Sequence, residues 1–189
     1  MKLIIQIPAW NEEQHLGEAL EALPTSIDGI DHLEVLVIDD GSTDRTADVA
    51  REHGASVVRL PVHRGLAVAF ATGIRACLER GADIIVNTDA DNQYDARDIG
   101  LLAAPIVSGE AQMVIGVRQV GGVGHFSPTK RLLPRLGSMV VRRLSGTEVG
   151  DASSGFRAFS RIAAQKLHVF TRFTYTLETI LQAGEAGLK

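Results

Sequence analysis

A chain of 189 residues, 45% hydrophobic and 22% charged, has the size and composition of one globular domain with a full core. Its formal net charge of -4 leaves no basic footprint for nucleic acid, and one cysteine excludes an internal disulfide framework and any multi-cysteine metal site. No apolar stretch is long enough to cross a bilayer, and MKLIIQIPAW lacks the apolar segment and cleavage site of a signal peptide, so a cytoplasmic protein is expected.

Strand and helix patterns alternate along the chain. Residues 3–7 read as a first strand, and residues 12–23 as a helix with Leu16, Ala19, Leu20 and Leu23 on one face, ended by Pro24. Residues 33–38 form a second predicted strand, followed by the turn residues Asp39-Asp40-Gly41-Ser42. A polar helix over 43–53, closed by Gly54, leads to a third strand over 56–60. A helix over 66–80 holds Cys77 as a small apolar residue, and a fourth strand covers 84–88. Residues 95–108 read as a helix and 112–117 as a fifth strand. Strands joined by helices run parallel with right-handed crossovers, so the fold class expected is α/β, a doubly wound, mostly parallel sheet. Beyond residue 118 the pattern loosens. A glycine-bearing loop over 119–128 precedes a helix over 131–144, a short strand over 154–159 and helices over 162–167 and 176–186. The last helix is followed at once by the chain end, where such a fold ordinarily starts another strand, so a C-terminal continuation is expected.

Asp89 and Asp91 carry the strongest chemical signal. They follow the apolar run Ile84-Ile85-Val86, at the carboxyl end of a buried strand, where ligands bind in open α/β sheets. Two neighbouring carboxylates are costly to hold together without a cation between them, and a divalent metal chelated by a diphosphate supplies one. Gln93 adds a neutral oxygen, and Mg²⁺ or Mn²⁺ suits such a set. Asp39 and Asp40, after the second strand, are placed to accept hydrogen bonds from a base edge or ribose, while Ser42 or Thr43 serves as helix cap. The first strand ends in Pro8-Ala9-Trp10-Asn11-Glu12-Glu13 instead of a G-x-G-x-x-G turn, which counts against a nicotinamide enzyme. Trp10 can stack on a ring, and Glu12 and Glu13 suit a helix N-terminus. Arg118, Lys130-Arg131 and Arg157 offer cations for phosphate. His63 and His125 fall in loops on the same side, and the six histidines show no zinc spacing.

The segments PAWNEE, VIDDGSTDRT, HRGLAVAFATG, NTDADNQY, IGVR and DASSGFRAFSR, in that order, resemble the family-two glycosyltransferases of the GT-A fold. Within that family the chain looks most like the branch of dolichyl-phosphate mannose synthases and bacterial polyprenyl-phosphate glycosyltransferases. The resemblance implies one GT-A, Rossmann-like domain over 1–189, with 1–118 as the nucleotide-sugar half and 119–189 as the acceptor side. It implies a UDP- or GDP-sugar donor, a metal (Mg²⁺ or Mn²⁺), and a lipid-phosphate or glycan acceptor in cell-envelope glycan synthesis. Pro8, Trp10, Glu12, Asp39 and Asp40 match nucleoside positions. Asp89, Asp91 and Gln93 match metal positions. Arg118, Arg131 and Arg157 are donor or acceptor phosphate candidates, and Asp151 faces the acceptor. Val117 departs from the pattern, which has a small polar residue there, and a membrane anchor common in relatives does not follow within the chain.

The expected reaction is a single inverting displacement in the cytoplasm or at the inner face of the membrane. Asp151 is the general base for a hydroxyl acceptor, and Asp91 acts through the metal. The competing readings are a non-catalytic nucleotide-sugar-binding module and a sugar nucleotidyltransferase, whose usual basic, glycine-rich first loop is replaced here by acidic PAWNEE.

Overall fold

The computed structural model describes residues 1–90, 94–117, 151–171 and 175–189. Among the described residues six strands form one sheet: β1 (Lys2–Ala9), β2 (His32–Asp39), β3 (Ser56–Arg59), β4 (Ile84–Asn87), β5 (Met113–Ile115) and β6 (Arg157–Ser160). Their spatial order is β3-β2-β1-β4-β6-β5. The first four are mutually parallel, and β6 runs antiparallel to both β4 and β5. The expected doubly wound, mostly parallel sheet is therefore present, with one change. β5 does not pair with β4, because β6 returns from the far end of the chain and inserts between them.

Helices cover both faces, as parallel strands require. Leu3, Ile5, Ile7 and Ala9 of β1 face a core shared with α1 (Leu16–Glu21), α2 (Thr46–Glu52) and α4 (Ile99–Val107). Ile4 faces the other core with α3 (Leu66–Glu79), α5 (Arg161–Lys166) and α6 (Tyr175–Glu185). A strand buried on both sides reads as a continuous apolar run, which is why β1, β2 and β4 were visible in the sequence. Pro8 is buried inside β1. Its missing N–H faces the β4 side, just past the last residue of β1 that pairs there, Gln6, so no ladder bond is lost.

Buried polar groups cross the α3 face of the sheet. Gln6 Nε2 donates to Asn87 Oδ1 at 2.8 Å, and Asn87 Nδ2 donates to the carbonyl of Gly155 at 2.8 Å. Gly73 of α3 makes room for Gln6, since a Cβ there would sit 2.3 Å from Gln6 Oε1. Cys77 is buried in α3 beside the same glutamine.

The first helix starts later than its periodicity suggests. The amides of Asn11, Glu12 and Glu13 are taken by Ser42 Oγ at 2.9 Å, Thr46 Oγ1 at 2.8 Å and Asp44 Oδ2 at 3.2 Å, so this stretch is laced to the loop before α2. Glu13 in turn accepts from the Arg45 amide at 3.0 Å, stabilising the start of α2 instead of its own helix. Asp44, not Ser42 or Thr43, accepts from the Thr46 amide there, at 3.0 Å. The loop over 119–128 and the helix over 131–144 lie outside the described residues.

Candidate active site at the carboxyl edge of the sheet

The parallel register brings Ala9, Asp39 and Arg59 into one row across β1, β2 and β3. Asp39 and Asp40 then point to different tasks, as alternation along a strand dictates. Asp40 is spent on the loop that enters α3: it accepts from the Arg64 amide at 2.8 Å and the Gly65 amide at 2.7 Å, and its Oδ2 lies 2.9 Å from His63 Nδ1. Gly65 is the cap of α3, with φ 92°, so the carboxylate also sits favourably at a helix N-terminus.

Asp39 is 0% exposed. Its Oδ1 accepts from the Ser42 amide at 2.8 Å, while its buried Oδ2 has no hydrogen-bond partner. Arg59 Nε lies 3.1 Å from that oxygen, close enough for charge compensation but without hydrogen-bond alignment. A buried carboxylate oxygen in that state costs free energy unless a donor reaches it.

Trp10 follows β1 directly and is 47% exposed. Its ring stacks on His63, with centroids 4.0 Å apart and planes 24° from parallel. Glu12 is half-buried beside it and contributes its amide to the bond with Thr46.

At the end of β4, Asp89 is half-buried and its carboxylate lies over Gly155. A Cβ on Gly155 would stand 3.2 Å from Asp89 Oδ1 and 3.3 Å from Oδ2, so glycine leaves this carboxylate its place. Tyr175 lies behind it. Burial first, and the negative Asp89 second, push the Tyr175 phenol up to about 12. Asp91, Gln93, Arg118 and Arg131 lie outside the described residues, as does His125. Asp89 supplies a hard oxygen where a divalent metal was expected, and Asp91 and Gln93 would complete an all-oxygen set suited to Mg²⁺ or Mn²⁺.

Asp151 accepts from its own turn, from Ser153 N at 3.1 Å and Ser153 Oγ at 2.8 Å, both on Oδ1. The loop it opens is wound around Arg157, and here the sequence reading needs correction. Arg157 is not a phosphate ligand on a surface but is 0% exposed. Nε donates to Ser154 O at 2.7 Å, Nη2 to Ala152 O at 2.9 Å, and Nη1 to Thr176 O at 2.7 Å and Thr179 Oγ1 at 2.8 Å. Burial lowers its ionisation to about 10. The guanidinium fastens the Asp151 loop to α6, leaving little donor capacity for a ligand.

Tyr94 was overlooked in the sequence. Its hydroxyl accepts from Gly155 N at 3.3 Å and Ser154 Oγ at 3.4 Å, and its ring stacks on Phe156 at 4.9 Å. It joins the segment after Asp89 to the Asp151 loop. An aromatic residue three positions after the D-x-D pair was the available signal.

Comparison with known proteins gives the family and the fold. The family model described as glycosyl transferase family 2 matches residues 4–167. An uncharacterized protein of Methanocaldococcus jannaschii, MJ1222, is 32% identical over all of this chain and 78% of its own length. The polyprenol monophosphomannose synthase of Mycolicibacterium smegmatis is 32% identical, over 88% of this chain and 64% of its own. Among solved structures, glucosyl-3-phosphoglycerate synthase from Mycobacterium tuberculosis, bound to phosphoglyceric acid, superposes with a TM-score of 0.76 at 26% identity. That match covers 98% of this chain and 66% of the other. A complex of the same enzyme with Mn²⁺, UDP-glucose and phosphoglyceric acid matches at 28% identity and TM-score 0.67, over 88% of this chain and 59% of that one. The synthases are longer proteins, of which this chain spans about two thirds.

Proposed function

The chain belongs to glycosyl transferase family 2, and we propose that it moves a sugar from a UDP- or GDP-linked donor to an acceptor with the aid of a divalent metal. The observation that carries this reading is the buried Oδ2 of Asp39, charge-compensated by Arg59 but without a hydrogen-bond partner, in register with Ala9, the residue before the half-exposed Trp10. Uracil and guanine both present an imino N–H, the donor such an oxygen lacks, and both have a face for stacking. β2 and β4 each flank β1, so Asp39 and Asp89 stand at strand ends roughly 10 Å apart, two interstrand spacings. That separation suits a ligand with a base at one end and a diphosphate at the other.

In this reading Asp89, with Asp91 and Gln93, holds Mg²⁺ or Mn²⁺, and Arg118 and Arg131 meet phosphate charge. The metal, when bound, withdraws charge from the departing nucleoside diphosphate. The displacement is single and inverting. The mannose synthase relative supports a polyprenyl phosphate as acceptor, and thus work at the inner face of the cytoplasmic membrane, within envelope glycan synthesis. Among the described residues no helix is long and apolar enough to cross a membrane. A lipid phosphate is already anionic and needs positioning, not deprotonation. The engagement of Asp151 Oδ1 by its own turn suits that positioning role.

Donor hydrolysis tests the reading. Incubated with Mn²⁺ and UDP- or GDP-sugars, the protein should release free sugar slowly from one nucleotide class. Tight nucleotide binding with no release, and no transfer when polyprenyl phosphate is added, would point instead to a non-catalytic binding module.

A further inference from the structure

The 62–65 loop is held against the site more tightly than a connection between β3 and α3 needs. Gly41, with φ 71°, packs so closely on it that a Cβ would come within 2.5 Å of Val62 C and 2.6 Å of His63 N. Asp40 fixes the same loop through the amides of Arg64 and Gly65 and through the imidazole of His63. His63 Nδ1 thereby sits 2.9 Å from the Asp40 carboxylate, and its ring lies nearly flat against Trp10. On the other side, the backbone next to Trp10 is pinned at Asn11, whose amide donates to Ser42 Oγ and whose Oδ1 accepts from the Thr43 amide, each at 2.9 Å. Asp40, His63 and Trp10 thus form a chain of contacts ending on the ring that directly follows Ala9, the residue in register with Asp39.

We propose that His63 is a positioning residue for the nucleobase: wedged between Asp40 and Trp10, it holds the indole as a fixed wall of the base site. The proposal rests on the nucleotide-donor reading above and adds to it the residue that sets the wall. A free, half-exposed indole samples several rotamers, and ordering it on binding costs affinity. The stack with His63 removes that cost in advance.

Trp10 is the only tryptophan in the chain, so intrinsic emission reports this ring alone. The experiment compares wild type, His63→Ala and His63→Phe by emission and acrylamide quenching without ligand. It adds calorimetric titration with UDP and with GDP in Mn²⁺, and donor kinetics. In His63→Ala the emission should shift to the red and become easier to quench. The dissociation constant for the preferred nucleotide should rise about tenfold, the upper range of one aromatic pair. The loss should fall on the donor KM rather than on kcat. His63→Phe, which keeps a ring against Trp10, should recover most of the affinity. Unchanged emission in His63→Ala would overturn the clamp. Shifted emission with unchanged nucleotide affinity would overturn its role at the base. Wild type that binds neither nucleotide would remove the donor reading, and with it this role, while the ligand-free emission would still report the stack on its own.

Discussion

Asn87 donates a side-chain hydrogen bond to the carbonyl of Gly155 at 2.8 Å, and through it the end of β4 is tied to the loop that carries Asp151. The bond is buried and continues to Gln6, whose Nε2 donates to Asn87 Oδ1. It links the strand that presents Asp89 to the segment under its carboxylate. Asn87→Leu should strand the Gly155 carbonyl and leave Gln6 Nε2 only its long 3.5 Å bond to the Phe70 carbonyl, at about 1–3 kcal/mol for each buried group left unsatisfied. Urea unfolding measures this. A variant as stable as wild type would mean that the network contributes little.

Arg157 should behave as a structural brace. Arg157→Met leaves the carbonyls of Ala152 and Ser154 without this donor, and the expected loss is about 1–3 kcal/mol for each buried group left unsatisfied. Thermal unfolding should show a fall of many degrees. A variant of normal stability that had lost only nucleotide affinity would restore the phosphate-ligand role that burial argues against.

Alkaline pH should destabilise the protein through Cys77 and Tyr175. Burial raises the Cys77 thiol from 9.0 to about 12 and the Tyr175 phenol from 10.0 to about 12. Both folded-state values lie above the unfolded ones, so the unfolded chain loses its protons first. The stabilisation is complete below about pH 9 and is lost as pH rises towards 12. Each unit of difference corresponds to about 1.4 kcal/mol. Unfolding midpoints measured between these limits should fall steadily, and Cys77→Ala should flatten part of the decline. In the folded protein the thiol should resist alkylation at pH 9.

Asp151 and Asp91 separate the two kinds of acceptor. With a lipid phosphate, Asp151→Asn should be mild and Asp91→Asn severe, because the phosphate brings its own charge while the metal site stays essential. Transfer rates to polyprenyl phosphate measure this. Comparable near-complete losses in both well-folded variants would favour a hydroxyl acceptor that needs a base.

Much of this was legible in the sequence, and what was missed shares a cause. β1, β2 and β4 stand out because each is apolar on both faces. The placement of Asp89 followed from the strand before it. By contrast, the sequence cannot distinguish Asp39 from Asp40. Only the fold shows that one carboxylate serves the 62–65 loop while the other keeps an oxygen without a hydrogen-bond partner. The late start of α1 depends on side chains some thirty positions away, Ser42, Asp44 and Thr46, taking amides that a helix would use differently. The insertion of β6 and the burial of Arg157 are likewise set by contacts distant in sequence. An arginine near a phosphate pattern reads as a ligand until the carbonyls around it are seen.

The most direct test of the account is calorimetric titration of UDP and GDP, each with Mn²⁺ and with chelator, against wild type and Asp39→Asn. Asparagine keeps an oxygen for the Ser42 amide but cannot offer a second acceptor, so the fold should survive. Metal-dependent binding of one nucleotide class is expected, weakened about 10- to 100-fold in Asp39→Asn, the range for a hydrogen bond to a charged group. Well-folded wild type that binds neither nucleotide, or Asp39→Asn that binds as tightly as wild type, would contradict it.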